Sequence, residues 1–147
     1  YTLYSSSAAS DVYKRQGPVR AYEVADATRT AGEVAARAAL RATPRPDAIL
    51  GLCDELALGA LDAVRHAGER VPGQVAVAGV DDLPGAAAAG LTSVFVPYLP
   101  FGELAARTAL ALITGAPPPD GAPLPTSLAI RASTTGPPPA TSPRARA

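Results

Sequence analysis

From Gly17 onward the sequence alternates short apolar runs, rich in β-branched residues, with longer segments of helical periodicity. "VRAYEV", "DAILGL" and "LTSVFV" are three of the apolar runs, and each has the length of a strand. This alternation is typical of βαβ units, in which helices connect parallel strands and cover the sheet. The sequence therefore predicts an α/β fold built on a parallel sheet.

Capping and helix-breaking residues place the predicted elements along the chain. Thr28 or Thr30 can cap the first helix, and Asp54 stands where an N-cap belongs for the second. Pro100 suits the first turn of the last helix, and Gly115 ends it. The predicted helices cover about residues 31–42, 54–67 and 100–114, and the predicted strands cover about residues 19–24, 47–52, 75–79, 91–96 and 124–133.

Both ends of the chain differ in composition from the part between them. Lys14 is the only lysine, and the stretch from Ser6 to Gln16 matches, codon by codon, the translation of a transposase sequencing adapter. We therefore interpret residues 1–16 as adapter-derived, leave them out of the fold, and expect the natural amino terminus to be missing. Residues 136–147 are rich in Pro and small polar residues, which predicts a disordered tail.

Composition and charge exclude several classes of function. No apolar run approaches the roughly 18 residues of a membrane span, and the 13 basic and 13 acidic residues cancel. A single cysteine excludes an internal disulfide framework, and no common catalytic or metal-binding motif is present. His66, the single histidine, is predicted to lie solvated at a helix end. We expect a cytoplasmic protein with no cofactor, metal, catalytic residue or membrane partner.

Polar residues stand where the predicted strands end. Ligands of open parallel sheets bind beyond the carboxyl ends of the strands, where carboxylates can accept hydrogen bonds from hydroxyl groups and aromatic rings can pack on a ligand. The candidate ligand-binding residues are Cys53, Asp54, Asp81 and Tyr98, with Asp82 beside Asp81. The alternative to ligand binding is a helix cap for Asp54, a turn residue for Asp81, and a residue at the rim of the core for Tyr98.

A series of motifs between residues 45 and 97 gives a more specific indication. They read "D-x-x-A-x-G-A-L", "G-x-x-V-P-x-x-V-x-V-x-G-x-D-D" and "L-T-x-V", and "FGELAARTALALITG" and "LPTSLAIRAST" follow them. The series resembles the carboxy-terminal effector-binding region of the lactose-repressor and purine-repressor (LacI-type) transcriptional regulators, and it covers about residues 19–135. The resemblance implies a periplasmic-binding-protein-like type I fold, of which this chain is a carboxy-terminal fragment.

The resemblance also implies roles for individual residues. Asp81 occupies the place of an acidic residue that binds the effector, and Tyr98 lies near a position that often carries a stacking aromatic residue. Cys53 falls where many members have asparagine, so this sequence loses a strong hydrogen-bonding group there. By analogy with the family, the candidate dimer residues, for which core packing is the alternative, are Leu58, Leu61, Ala86 and Ala87.

In the family the chain crosses between two subdomains, and "VPYLP" resembles the third crossing. Residues 17–135 would then be a partial effector-binding domain, and the helix over 101–114 would belong to the other subdomain and leave its apolar face uncovered. The implied function is sensing of a sugar or nucleoside-like effector by a homodimer, which binds operator DNA through a helix-turn-helix missing here. The alternatives are a periplasmic sugar-binding protein of a transporter, which shares the fold, and an α/β enzyme, for which a phosphate-binding glycine loop is lacking.

Overall fold

The computed structural model describes residues 2–6 and 19–135, with the backbone alone considered for residues 2–6. The strands of the described residues are β1 (Thr2–Ser6), β2 (Val19–Glu23), β3 (Ala48–Gly51), β4 (Ala76–Asp81), β5 (Thr92–Phe95) and β6 (Ser127–Ala129). The helices are α1 (Arg29–Arg41), α2 (Asp54–His66), α3 (Pro84–Ala89), α4 (Tyr98–Thr114) and α5 (Ala132–Thr135). None of the described helices is long and apolar enough to cross a membrane.

The strands form one sheet in the order β2-β1-β3-β4-β5-β6. β3, β4 and β5 are parallel neighbours, with Ile49 opposite Val77 and Ala78 opposite Thr92. β6 runs antiparallel to β5, and β1 runs antiparallel to both β2 and β3. The sheet is therefore mixed with a parallel centre, which confirms the predicted α/β class.

β1 lies within residues 1–16, which were left out of the sequence-based prediction of the fold. Leu3 lies opposite Tyr22 of β2 on one side and opposite Gly51 of β3 on the other, and residues 3–6 pair on both edges. Ladder hydrogen bonds join backbone groups, so a strand can form there whatever the origin of its sequence. The adapter origin stays a prediction, and residues 7–16 and the predicted tail over 136–147 lie outside the described residues.

The predicted helices and strands from β2 to α4 agree with the structure to within a residue or two at each end, but α3 and α5 were not predicted. α3 begins at Pro84, and Gly90 ends it in the left-handed conformation with φ 70°. The last strand was predicted over 124–133 and is shorter, because residues 132–135 turn into α5.

Helix α2 lies at the centre of the core because it packs on β3 and β4 and also against α1. Thr28 caps α1 by accepting a hydrogen bond from the Ala31 N–H at 3.2 Å. The two helices approach closely at glycine positions, since a Cβ on Gly59 would collide with the Arg29 carbonyl and one on Gly32 with the Leu56 carbonyl. The largest fully buried apolar side chains are those of Ile49, Leu56, Leu61, Val64, Val77 and Leu91.

Helix α4 has the opposite character, since Ala111 is its one buried residue. Its apolar face is uncovered within the described part of the chain, as the sequence predicts. Assignment of this helix to another subdomain stays a prediction. The exposed large apolar residues of α4 are Tyr98, Leu99, Phe101, Leu110, Leu112 and Ile113.

Candidate functional site

The carboxyl ends of β3, β4 and β5 bring the predicted polar residues to one edge of the sheet. Cys53 and Asp54 follow β3, Asp81 ends β4, and Tyr98 begins the helix after β5. The Tyr98 hydroxyl donates a hydrogen bond to Asp81 Oδ1. We call the group of Cys53, Asp54, Asp81, Asp82 and Tyr98 the strand-end site.

Tyr98 and Asp81 form the exposed part of the strand-end site. The hydrogen bond to the Asp81 carboxylate, helped by partial burial, raises the pKa of Tyr98 to about 12, because a phenolate could not donate and would be repelled. Tyr98 is 53% exposed, and Asp81 is half-buried. The pair thus offers a carboxylate and an accessible aromatic ring side by side.

The backbone at Asp81 and Asp82 has an unusual conformation. Their φ angles are 117° and 56°, in the region that residues with a side chain seldom adopt and that costs about 1–3 kcal/mol for each. The Asp82 N–H donates to Ser93 Oγ at 3.1 Å, and an Arg131 guanidinium nitrogen lies 2.7 Å from Asp82 Oδ1. These two contacts hold the turn that places Asp81 beside Tyr98.

Asp54 is the buried support of the strand-end site. Its Oδ1 accepts from the Ser93 hydroxyl at 2.6 Å, its Oδ2 accepts from the Leu83 N–H at 2.7 Å, and it has no exposed surface. Burial raises the pKa of Asp54, and the two hydrogen bonds oppose that rise. The Asp54 side chain is thus enclosed and joined to Leu83 and Ser93, and its predicted ligand contact stays a prediction.

The alternative role for Asp54, a helix cap, is wrong. Cys53 is the N-cap residue of α2, and no side chain provides a capping hydrogen bond there. Cys53 is a free cysteine, and it is half-buried at the strand-end site. Among the described residues no group of acidic, histidine or cysteine side chains is arranged to hold a metal ion.

The family model described as a periplasmic binding protein-like domain matches residues 5–134 of the chain. The chain belongs to this family. An HTH-type transcriptional regulator from Mycobacterium tuberculosis is 42% identical over 113 residues, which are 74% of this chain and 30% of that regulator. The lactose operon repressor from Rhizobium radiobacter is 32% identical over 104 residues, 69% of this chain and 92% of the relative.

Solved structures of transcriptional regulators agree with this assignment. The transcription regulator GntR from Chromobacterium violaceum gives a TM-score of 0.66 at 36% identity, over 74% of this chain and 41% of that one. A LacI family regulator from Arthrobacter sp. FB24, in complex with lactose, gives a TM-score of 0.61 at 33% identity, over 73% of this chain and 41% of that one. The chain is thus a LacI-type effector-binding region, and it spans about 30% of the first relative's length.

The LacI-type dimer candidates fall mostly in the core of this chain. Leu58 and Leu61 are 3% and 1% exposed, and Ala86 is fully buried, so these three have almost no surface for a second copy. Within this chain these three residues pack in the hydrophobic core, as the core alternative describes, and their part in a dimer stays a prediction. Ala87, on α3, is exposed and is the one candidate of the four that a partner could touch.

Sequence reasoning missed two residues that support the site in this LacI-type domain. Ser93 connects Asp54 to the Asp82 backbone, and Arg131 contacts both the Asp82 carboxylate and the Leu91 carbonyl, the latter at 2.7 Å. Neither residue stands in a motif with its partners, so only the folded sheet brings them together. His66 was predicted correctly, since it is the exposed last residue of α2.

Proposed function

We propose that the strand-end site binds a small polyhydroxylated effector, a sugar or a nucleoside-like molecule. The observation that carries this proposal is the Asp81 carboxylate next to the half-exposed ring of Tyr98. A carboxylate accepts hydrogen bonds from ring hydroxyls, and an aromatic face packs on the apolar face of a sugar ring or a base. The strained turn at Asp81, held by Ser93 and Arg131, keeps this acceptor in place.

The relatives support a regulatory use of that binding. Those named above are transcriptional regulators or a repressor, and one solved relative holds lactose, which favours a sugar. We infer that the effector shifts the population of a cytoplasmic homodimer between two states that differ in operator affinity. Operator binding then belongs to a helix-turn-helix part of a longer regulator. A transport protein is not favoured, because none of these relatives is one.

Titration calorimetry on the full chain with lactose, galactose, glucose and adenosine tests the proposal. Asp81→Asn keeps the size of the side chain and removes its charge, and we expect it to weaken the best ligand by about tenfold or more. Asp120→Asn, at an exposed position in the connector after α4, is the matched control and leaves the affinity unchanged.

Two results would contradict the proposal. The first is equal affinity in the Asp81→Asn and Asp120→Asn variants, which would place binding elsewhere. The second is turnover of any of these compounds that Asp81→Asn abolishes, since the proposal assigns binding without chemistry.

A further inference from the structure

A concavity lies between the carboxy-terminal halves of α1 and α2. It encloses about 390 Å³, and its lining includes Arg37, Leu40 and Arg41 of α1, Arg45 beyond α1, and Ala63 and His66 of α2. We call it the basic cleft. α2 has 13 residues at a rise of about 1.5 Å each, so this end of the helix lies roughly 18 Å from Asp54 at the other end. The basic cleft is therefore separate from the strand-end site.

Three guanidinium groups of the basic cleft carry permanent charge, and their hydrogen-bonding capacity is only partly used. Arg37 pairs with Glu33 at 2.6 Å and Arg45 with Glu69 at 2.8 Å, each through one nitrogen. Arg41 forms no ion pair with any described residue. A guanidinium has five N–H donors, so donors remain on all three arginines.

Compensation of the helix dipole does not account for this cluster. Cations are favoured near helix carboxyl ends, but the effect falls off within the last turn. Arg41 and His66 lie in the last turns of α1 and α2. Arg37 lies a turn earlier and Arg45 lies outside both helices, so helix ends alone do not explain why three arginines line one concavity.

The floor of the basic cleft between the arginines includes the apolar residues Leu40, Ala63 and Ala67, and Ala67 is exposed. Leu40 and Ala63 belong to the buried core. The arginine side chains beside this floor are about half exposed, at 51% for Arg37 and 52% for Arg45, so a ligand from solution can reach their guanidinium groups. The cavity volume lies within the usual range of small-molecule sites, about 300–1,000 Å³.

We propose that the basic cleft binds a small molecule that carries a phosphate monoester, with the phosphate on the arginines and the body of the molecule on the apolar floor. A phosphate monoester has three terminal oxygens, each able to accept hydrogen bonds from a guanidinium. Nucleic acid is a poorer fit, because it needs an extended basic surface and this chain has no net charge.

Calorimetric titration of the full chain with phenyl phosphate, inorganic phosphate and phenol tests this proposal. Phenyl phosphate is expected to bind more tightly than inorganic phosphate, because its ring covers the apolar floor, and phenol is expected not to bind. Arg41→Ala is expected to weaken phenyl phosphate by about tenfold or more. Arg107→Ala, which removes an exposed arginine of α4, is the matched control and leaves the affinity unchanged.

Further variants keep the result decisive. Arg45→Ala removes a cleft arginine outside the helices and is expected to weaken phenyl phosphate without affecting helix formation, while Asp81→Asn leaves its affinity unchanged. Absence of saturable binding, or equal losses in Arg41→Ala and Arg107→Ala, would overturn the proposal. Loss of binding in Asp81→Asn would assign the anion to the strand-end site. Arg41-dependent binding of duplex DNA without binding of phenyl phosphate would show that the partner is a nucleic acid.

Discussion

Replacement of Ser93 by alanine tests whether the strand-end site depends on its buried support. The Ser93 hydroxyl donates to Asp54 at 2.6 Å and accepts from the Asp82 N–H at 3.1 Å, and the residue is fully buried. Water therefore cannot take over either contact, and both groups would lose a partner.

The expected magnitude follows from those two hydrogen bonds. A hydrogen bond to a charged group contributes about 1.5–3 kcal/mol and a neutral one about 1 kcal/mol, so we expect Ser93→Ala to lower the free energy of unfolding by about 2–4 kcal/mol. The turn at Asp81 and Asp82 also loses a support, so effector affinity is expected to fall together with stability.

Urea unfolding followed by circular dichroism measures this change. Ser127→Ala is the control, because it makes the same substitution at an exposed position of β6 and is expected to change the free energy of unfolding by less than about 0.5 kcal/mol. Equal stability of the two variants would refute the account of Asp54, Ser93 and Asp82 as one connected support.

Three further predictions concern the fold around the site. Burial raises the pKa of Asp54, so its contribution to stability is largest below the ordinary pKa of aspartate and is lost as the pH rises through the raised value. Asp54→Asn is expected to remove this dependence of the free energy of unfolding on pH. Urea unfolding across pH that shows the same dependence in both proteins would contradict it. Gly59→Ala is expected to cost about 1–3 kcal/mol because its Cβ meets the backbone of α1, whereas Gly102→Ala, in open space on α4, costs nothing; thermal melts that show no difference would refute the close approach. Deletion of residues 1–6 removes a strand paired on both edges and is expected to speed amide hydrogen exchange in β2 and β3, and unchanged protection of those strands would show that β1 does not support them.

The order of strands and helices could be predicted because each element carries its own periodicity and its own caps. β1 was missed because composition, which reports the origin of a segment, says little about whether its backbone can pair. α3 was missed because an alanine run after proline has no periodic pattern. Both β1 and α3 were thus missed because their sequences show no periodic pattern typical of a strand or a helix.

The candidate site was predictable only in part. The rule for strand ends found Asp81 and Tyr98, whose hydrogen bond joins two neighbouring strand ends. Ser93 and Arg131 could not be found, since their partners are distant in sequence. The resemblance to the family could not decide whether Leu58 lies in the core or at an interface, because burial by α1 and α3 is a property of the fold.

The most direct test of the proposed function is a ¹⁵N NMR titration of the full chain with lactose, the sugar held by a solved LacI-type relative. Binding at the strand-end site predicts saturable shifts that concentrate on the backbone amides of Cys53, Asp81, Asp82 and Tyr98 and that disappear in the Asp81→Asn variant. Shifts confined to other surfaces, or shifts that persist in Asp81→Asn, would contradict the assignment of effector binding to this site.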